Sequence, residues 1–163
     1  MKKILGLLVL IITFISLSSC NQEKEIEDRI IEDVIYNVYP NGSMMTPGST
    51  MLITDKDTLY NLVTEVNSLP PICMYFYLED LKPRFFKKKS LIVFVDTYTH
   101  LENITVENVE INGNQININY NQYCGNFISA DDYSCFMVVI EIENKYIDST
   151  MSINLQVLER IYN

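Results

Sequence analysis

This chain has no tryptophan, a single histidine (His100), five glycines and five prolines in 163 residues. Each shortage removes a class of chemistry. One imidazole cannot supply the two or three nitrogen ligands of a histidine-based catalytic zinc site, and no CxxC, HExxH or CxxH spacing occurs. The few glycines form neither GxGxxG nor GxxxxGK[ST], so no phosphate-cradling loop is present. There is no GxSxG elbow and no SxxK dyad for a serine nucleophile. Asn126, Asp131 and Asp132 share a loop, but the alternating acids and central glycine of an EF-hand are missing. Cations are scarce: 12 Lys and Arg stand against 21 Asp and Glu, a net charge of −9. That balance weighs against nucleic acid as a partner. The most apolar stretch, Ile4 to Ile15, is 12 residues long, short of the roughly 18–20 needed to cross a bilayer.

What is present begins at the N-terminus. Lys2 and Lys3 precede the apolar stretch, and Leu17-Ser18-Ser19-Cys20 follows it. A basic segment, a short apolar core and small residues make a secretory signal. The last four residues resemble the lipobox of bacterial membrane lipoproteins. The resemblance implies cleavage after Ser19, a diacylglyceryl thioether on Cys20 and further acylation of the new amino group. Two or more acyl chains anchor stably where one does not. The protein is then expected on the extracytoplasmic face of a membrane, and Asn21 is not the aspartate that marks inner-membrane retention.

Removing residues 1–19 takes away two lysines and no acid, leaving 144 residues with 10 basic and 21 acidic side chains, a net charge near −11. That size suits one independent domain. The charge suits a body held off a negative surface and argues against docking on anionic lipid. Asn21 to Asp28 is charged, lacks a core pattern and reads as a tether, so residues 20–28 are the lipidated N-terminus and tether and 29–163 the globular domain. With Cys20 acylated, Cys73, Cys124 and Cys135 remain. Cys124 and Cys135 enclose ten residues around a loop and are the candidate disulfide. Cys73 reads as a buried thiol, and three unbonded thiols are the alternative.

The spacing of apolar residues predicts a small α+β domain. Ile30 to Tyr39 and Met51 to Thr54 are strand candidates. Asp55 can cap a helix over about 56–69, where Leu59, Leu62, Val63, Val66 and Leu69 form one amphipathic stripe ended by Pro70-Pro71. A second helical turn is expected within Glu79 to Phe86. Leu91 to Val95 reads as a central strand buried on both faces. Asn112-Gly113 is a two-residue hairpin signal that sets Ile111 opposite Asn114 and Val109 opposite Ile116. The apolar parity of the first arm slips between Val106 and Val109. A β-bulge in which Glu107 and Asn108 together oppose Asn117 restores one face, with Val106 then opposite Ile118 and Ile104 opposite Tyr120. Phe136 to Glu143 and Ile153 to Val157 supply further strands, for six or seven in all, mostly antiparallel.

Residues Arg84 to Phe94, the Asn-Gly hairpin and Phe136 to Ile142 together resemble the small β-rich C-terminal domain of PrcB-type protease-complex subunits. The likeness spans roughly residues 50–158, rests on packing positions and implies a protein-binding or complex-stabilising role with no catalytic motif.

Few residues suggest a site. Tyr75, Phe76 and Tyr77, beside Pro70-Pro71 and Met74, are the densest aromatic cluster and a candidate binding surface, with core packing as the alternative. Lys87-Lys88-Lys89 is the only basic cluster, either a solvated helix end or a contact for acidic partners. His100 reads as an exposed loop residue, and a Cys–His pair with Cys73 or Cys124 has no supporting signature. Glu107 with Glu110, or Glu141 with Glu143, could be catalytic carboxylates, but the regular alternation of Glu141 and Glu143 is that of a solvent face. The expectation is therefore a lipid-anchored, non-enzymatic module with a protein partner, no cofactor and no metal. The competing class is an envelope hydrolase whose site is scattered along the chain.

Overall fold

The computed structural model describes residues 28–40, 46–67, 81–125 and 133–162, with the side chains of 40, 63–67 and 133 set aside. Cys20, Cys73, the Tyr75–Phe76–Tyr77 cluster and Asp131 lie outside those residues. Among the described residues eight strands occur: β1 (Arg29–Ile31), β2 (Ile35–Pro40), β3 (Thr50–Ile53), β4 (Lys89–Thr99), β5 (Leu101–Asn112), β6 (Gln115–Cys124), β7 (Tyr133–Glu143) and β8 (Ser152–Tyr162). Helix α1 (Lys56–Asn67) follows β3, and two 3-10 turns lie at Phe85–Lys87 and Asn144–Tyr146. The strands form two four-stranded sheets, ordered β1-β5-β6-β8 and β2-β7-β4-β3. All pairs are antiparallel except β6 with β8. The α+β expectation of one short helix and mostly antiparallel strands holds, with two sheets in place of one.

Strand β4 explains the layering. Its side chains alternate between two dry spaces. Ile92 and Phe94 enter the core between the sheets, with Ile104, Val109 and Ile111 of β5, Ile116 and Ile118 of β6, and Val138 and Ile140 of β7. Leu91, Val93 and Val95 enter a second core with Ile53, Met137, Val139 and the α1 residues Leu59 and Leu62. Each such fully buried side chain contributes about 1.5–3 kcal/mol. Asp55 caps α1 as expected: its carboxylate accepts from the Thr58 amide at 2.8 Å and from the Thr58 hydroxyl at 2.9 Å. Those bonds lower the Asp55 pKa.

The β5–β6 hairpin carries both a confirmation and a correction. The bulge falls at Glu107, between the pairs Val106↔Tyr120 and Asn108↔Asn119. The register differs by two residues from the Asn112-Gly113 turn: Asn112 pairs with Gln115, Val109 with Ile118 and Ile104 with Gln122. Gly113 has φ +54, while Asn112 and Asn114 do not reach positive φ. A positive φ at the first central residue alone is the signature of a type II′ turn led by glycine, whereas Asn-Gly in a type I′ turn needs it at both. A two-residue slip keeps side-chain parity, so the apolar face survives.

Four connections move the chain between sheets: β1 to β2, β4 to β5, β6 to β7 and β7 to β8. Residues 32–34 carry it from β1 to β2, and His100 alone carries it from β4 to β5. His100 adopts φ +56, and its carbonyl accepts from the Gly125 amide at 2.9 Å. It is a half-buried corner residue, not an exposed loop histidine, because a one-residue corner leaves it no room to leave the sandwich. The left-handed region excludes β-branched residues most strongly. His100→Val is therefore expected to unfold at lower urea than His100→Gly, by about 1–2 kcal/mol of unfolding free energy; equal midpoints for the two variants would contradict the strained corner.

Candidate functional site

One end of the sandwich holds a connected polar network. The Asp96 carboxylate of β4 accepts from the Tyr120 hydroxyl at 2.8 Å and from the Gln122 amide nitrogen at 2.5 Å. Its other oxygen accepts from the Thr97 backbone amide at 2.8 Å. The Gln122 carbonyl accepts from Arg160 Nε at 2.7 Å, the Arg160 guanidinium stacks 4.5 Å from the Tyr98 ring centroid, and the Tyr98 and Tyr162 hydroxyls lie 3.3 Å apart. The network ties β4, β6 and β8 together across the two sheets. Burial, then the Asp96 charge and its hydrogen bond, push the Tyr120 phenol far above its ordinary value. Burial likewise raises the thiols of Cys124 and Cys135, the opposite of the shift that makes a reactive thiolate.

The proposed disulfide does not form. Cys124 and Cys135 are not bonded to each other. Cys124 faces the core between the sheets, and Cys135 packs on the other side of the second sheet against the α1-covered core. Closeness in sequence was misleading because β6 and β7 belong to different sheets and their inward faces are different faces.

Strand β8 is the edge of its sheet over eleven residues. Ile153, Leu155 and Val157 pair with Ile116, Ile118 and Tyr120. Those β6 partners are fully buried, but the β8 residues are half-exposed. The sheet orders put β8 and the short strand β3 at corresponding edges, with β5 stacked on β7 and β2. Among the described residues no strand closes this side. A second bulge at Leu158 separates Val157↔Tyr120 from Glu159↔Asn121, leaving Leu158 49% and Tyr162 56% exposed. From Ser152 to Val157 the edge contains no proline and no charge, so it lacks the usual devices that prevent strand addition.

The opposite end carries the basic run. A groove of about 610 Å³ is lined by Leu81 and Phe85 and by the cations Lys82, Arg84, Lys87, Lys88 and Lys89. Phe85 packs edge-on to Phe86 with centroids 5.2 Å apart. Lys89 pairs with Glu141 at 2.6 Å. Lys82, Arg84, Lys87 and Lys88 form no ion pair with any described residue. Lys89 also lines a neighbouring cleft of about 390 Å³ with Arg29, Ile30, Ile31, Glu141 and Tyr146. Glu141 is thus not a solvent-face residue: its side chain is 10% exposed and ion-paired. Glu143 pairs instead with Lys145, whose hydrogen bond lowers the Glu143 pKa.

Glu107 and Glu110 stand on the outer face of the first sheet, where they accept from Asn121 at 2.8 Å and Asn119 at 2.9 Å. They belong to an amide-rich outer face, not to a cleft. Among the described residues no group of three His, Cys, Asp or Glu is placed to hold a metal ion. Sequence reasoning missed the Asp96 network: Gln122 and Arg160 become partners only through the β6–β8 register, and parity along β6 was the single available clue. No family model, curated protein or solved structure matches the chain.

Replacing Tyr120 by Phe removes a hydrogen bond to a carboxylate and is expected to cost about 1.5–3 kcal/mol at neutral pH. Because the folded-state pKa is raised, this contribution is complete below pH ~10 and declines as pH rises above it. Urea titrations between neutral and strongly alkaline pH should show a stability loss in the wild type that shrinks in Tyr120→Phe. Parallel profiles would remove Tyr120 from the network.

Proposed function

We propose that this chain is a lipid-anchored, extracytoplasmic, non-enzymatic binding module whose protein partner adds an extended segment to the edge of β8. The lipobox resemblance at Leu17-Ser18-Ser19-Cys20 supports the anchor, with Cys20 as the acylated residue and 1–19 as the cleaved signal. The observation that carries the binding reading is the open edge: Ile153, Leu155 and Val157 are half-exposed beside fully buried neighbours on β6. A strand added there gains backbone hydrogen bonds and completes the burial of three aliphatic side chains, which is how β-augmentation combines affinity with pocket specificity. The Asp96–Gln122–Arg160 network supports the role by holding the C-terminal half of β8 in register with no strand among the described residues on its outer side. The likeness of residues 50–158 to PrcB-type C-terminal domains adds the same expectation of complex stabilisation. In this reading α1 is amphipathic, with Leu59 and Leu62 on its core-facing side.

Two measurements test the reading. A photo-crosslinking residue at Leu158 should capture one defined protein in intact cells, and Leu158→Lys, which blunts an edge, should cut a partner's affinity on the order of tenfold while changing stability by no more than about 0.5 kcal/mol. Turnover of an envelope polymer with no captured protein would replace this reading with the hydrolase class. Separately, Cys20→Ala should abolish detergent-phase partitioning and leave uncleaved precursor; normal partitioning of that variant would remove the anchor.

A further inference from the structure

The point where the described chain begins, at Asp28, and the basic groove lie at the same end of the molecule. Seven residues separate Cys20 from Asp28, so the eight steps between them reach about 29 Å at most even when fully extended. The described chain then enters at Asp28, whose carboxylate accepts from the Gly113 amide at 2.7 Å, and at Arg29, whose guanidinium sits 4.8 Å from the Tyr146 ring centroid. Two residues before Tyr146, the Asn144 amide donates to the Lys88 carbonyl at 2.9 Å, and its side chain donates to the Phe86 carbonyl at 2.9 Å. A short, continuous set of contacts therefore links the tether's point of entry to the groove. Lys89, common to the groove and to the cleft at Arg29, marks where the two surfaces meet. Ile30 and Ile35, both more than half exposed, line that cleft.

We infer that this end of the domain seats on the anionic phospholipid headgroups of the bilayer that holds the anchor, with Lys82, Arg84, Lys87 and Lys88 as the contacting cations and Leu81 and Phe85 as the apolar centre of the contact. The inference rests on the lipid-anchoring reading above. The whole-chain charge opposes such docking only if every acid acts at the surface. It does not, because screening confines each charge to about 8 Å at physiological ionic strength. The eleven residues of β4 place Thr99 roughly 35 Å from Lys89 at ~3.3 Å per residue, so acids at the far end are several screening lengths away. The nearby acids are Glu141 and Glu143, each held in an ion pair, with Glu32 and Asp33 lining the entry cleft, Asp28 at the point of entry, and Glu79 and Asp80 just before the groove in sequence. Four groove cations have no carboxylate partner among the described residues, and each cation at an anionic surface contributes roughly a fivefold bias toward contact. A tether of at most eight residues holds the groove at high local concentration beside that surface. An acidic soluble protein would match the charge, but it would not account for the groove lying near Asp28, where the tether joins the domain.

The test uses mature protein purified from its native, acylating host and reconstituted in vesicles of phosphatidylcholine alone or mixed with phosphatidylglycerol. Lysine acylation by a small amine-reactive probe, read by mass spectrometry, reports on each side chain. On phosphatidylglycerol vesicles Lys82, Lys87 and Lys88 should react on the order of tenfold more slowly than on phosphatidylcholine, and Lys56 on α1 should be unchanged. High salt should restore the rates, and Lys82→Glu with Lys87→Glu should abolish the protection of Lys88. Equal rates on both vesicles, with an acylated N-terminus seen in the same spectra, would overturn the docking and leave the anchor standing. An unacylated N-terminus would overturn both. Equal protection by soluble polyglutamate on phosphatidylcholine vesicles would assign the groove to an acidic protein and overturn the lipid contact.

Discussion

Everything in this fold depends on β4 being dry on both faces. A strand with Leu91, Val93 and Val95 on one side and Ile92 and Phe94 on the other cannot lie in a sheet with one wet face. One cover is the second sheet, which turns the β5–β6 hairpin onto β7. The other is α1, anchored by Leu59 and Leu62. Three layers follow, and four connections between the sheets build them, two of them the short ones at residues 32–34 and at His100. The left-handed backbone at His100 is the local strain of making a corner in one residue.

The two ends of the sandwich divide the remaining work. At the far end, a half-buried carboxylate accepts from three donors, and an arginine reaches it through a buried glutamine. That arrangement is costly if any member is removed, since unsatisfied buried groups lose their full solvation, and it explains how a terminal strand with an open edge keeps its register. At the near end, ion pairs are few and cations outnumber described carboxylates around an apolar groove. An acidic protein with one locally basic end has a preferred orientation in the field of a negative surface. The open edge of β8 and the basic groove are thus separate surfaces with different chemistry.

Several readings of the sequence failed for one reason: they treated neighbours in sequence as neighbours in space. Cys124 and Cys135 lie eleven positions apart but face different cores. Glu141 has the alternation of a solvent-facing residue, but the sheet brings Lys89 beside it. The strand over Ile153 to Val157 was legible from its period of two. Its parallel partner was not, because the 3-10 turn at Asn144–Tyr146 and the loop to Met151 return the chain to the start of β6 instead of its end. The groove was half visible as Lys87-Lys88-Lys89; Leu81, Lys82, Arg84 and Phe85 join it only because the 3-10 turn at Phe85–Lys87 curls them together.

Local rules acting over a few residues were readable in the chain itself. The unbroken apolar run from Leu91 to Val95 made β4 central, the Asp55 cap began α1, the parity slip between Val106 and Val109 required a bulge at Glu107–Asn108, and a basic segment, an apolar core and a cysteine set the expected anchor. Tertiary structure alone decided which sheet each strand joined, which face each cysteine took, that Gly113 and not Asn112 leads the hairpin turn, and that Gln122, Asp96 and Arg160 share one network. The physical reason is range. Periodicity, capping and turn chemistry are energies between residues a few positions apart, whereas strand pairing between distant segments is chosen by how completely the whole chain can bury its apolar surface, which no short window of sequence contains.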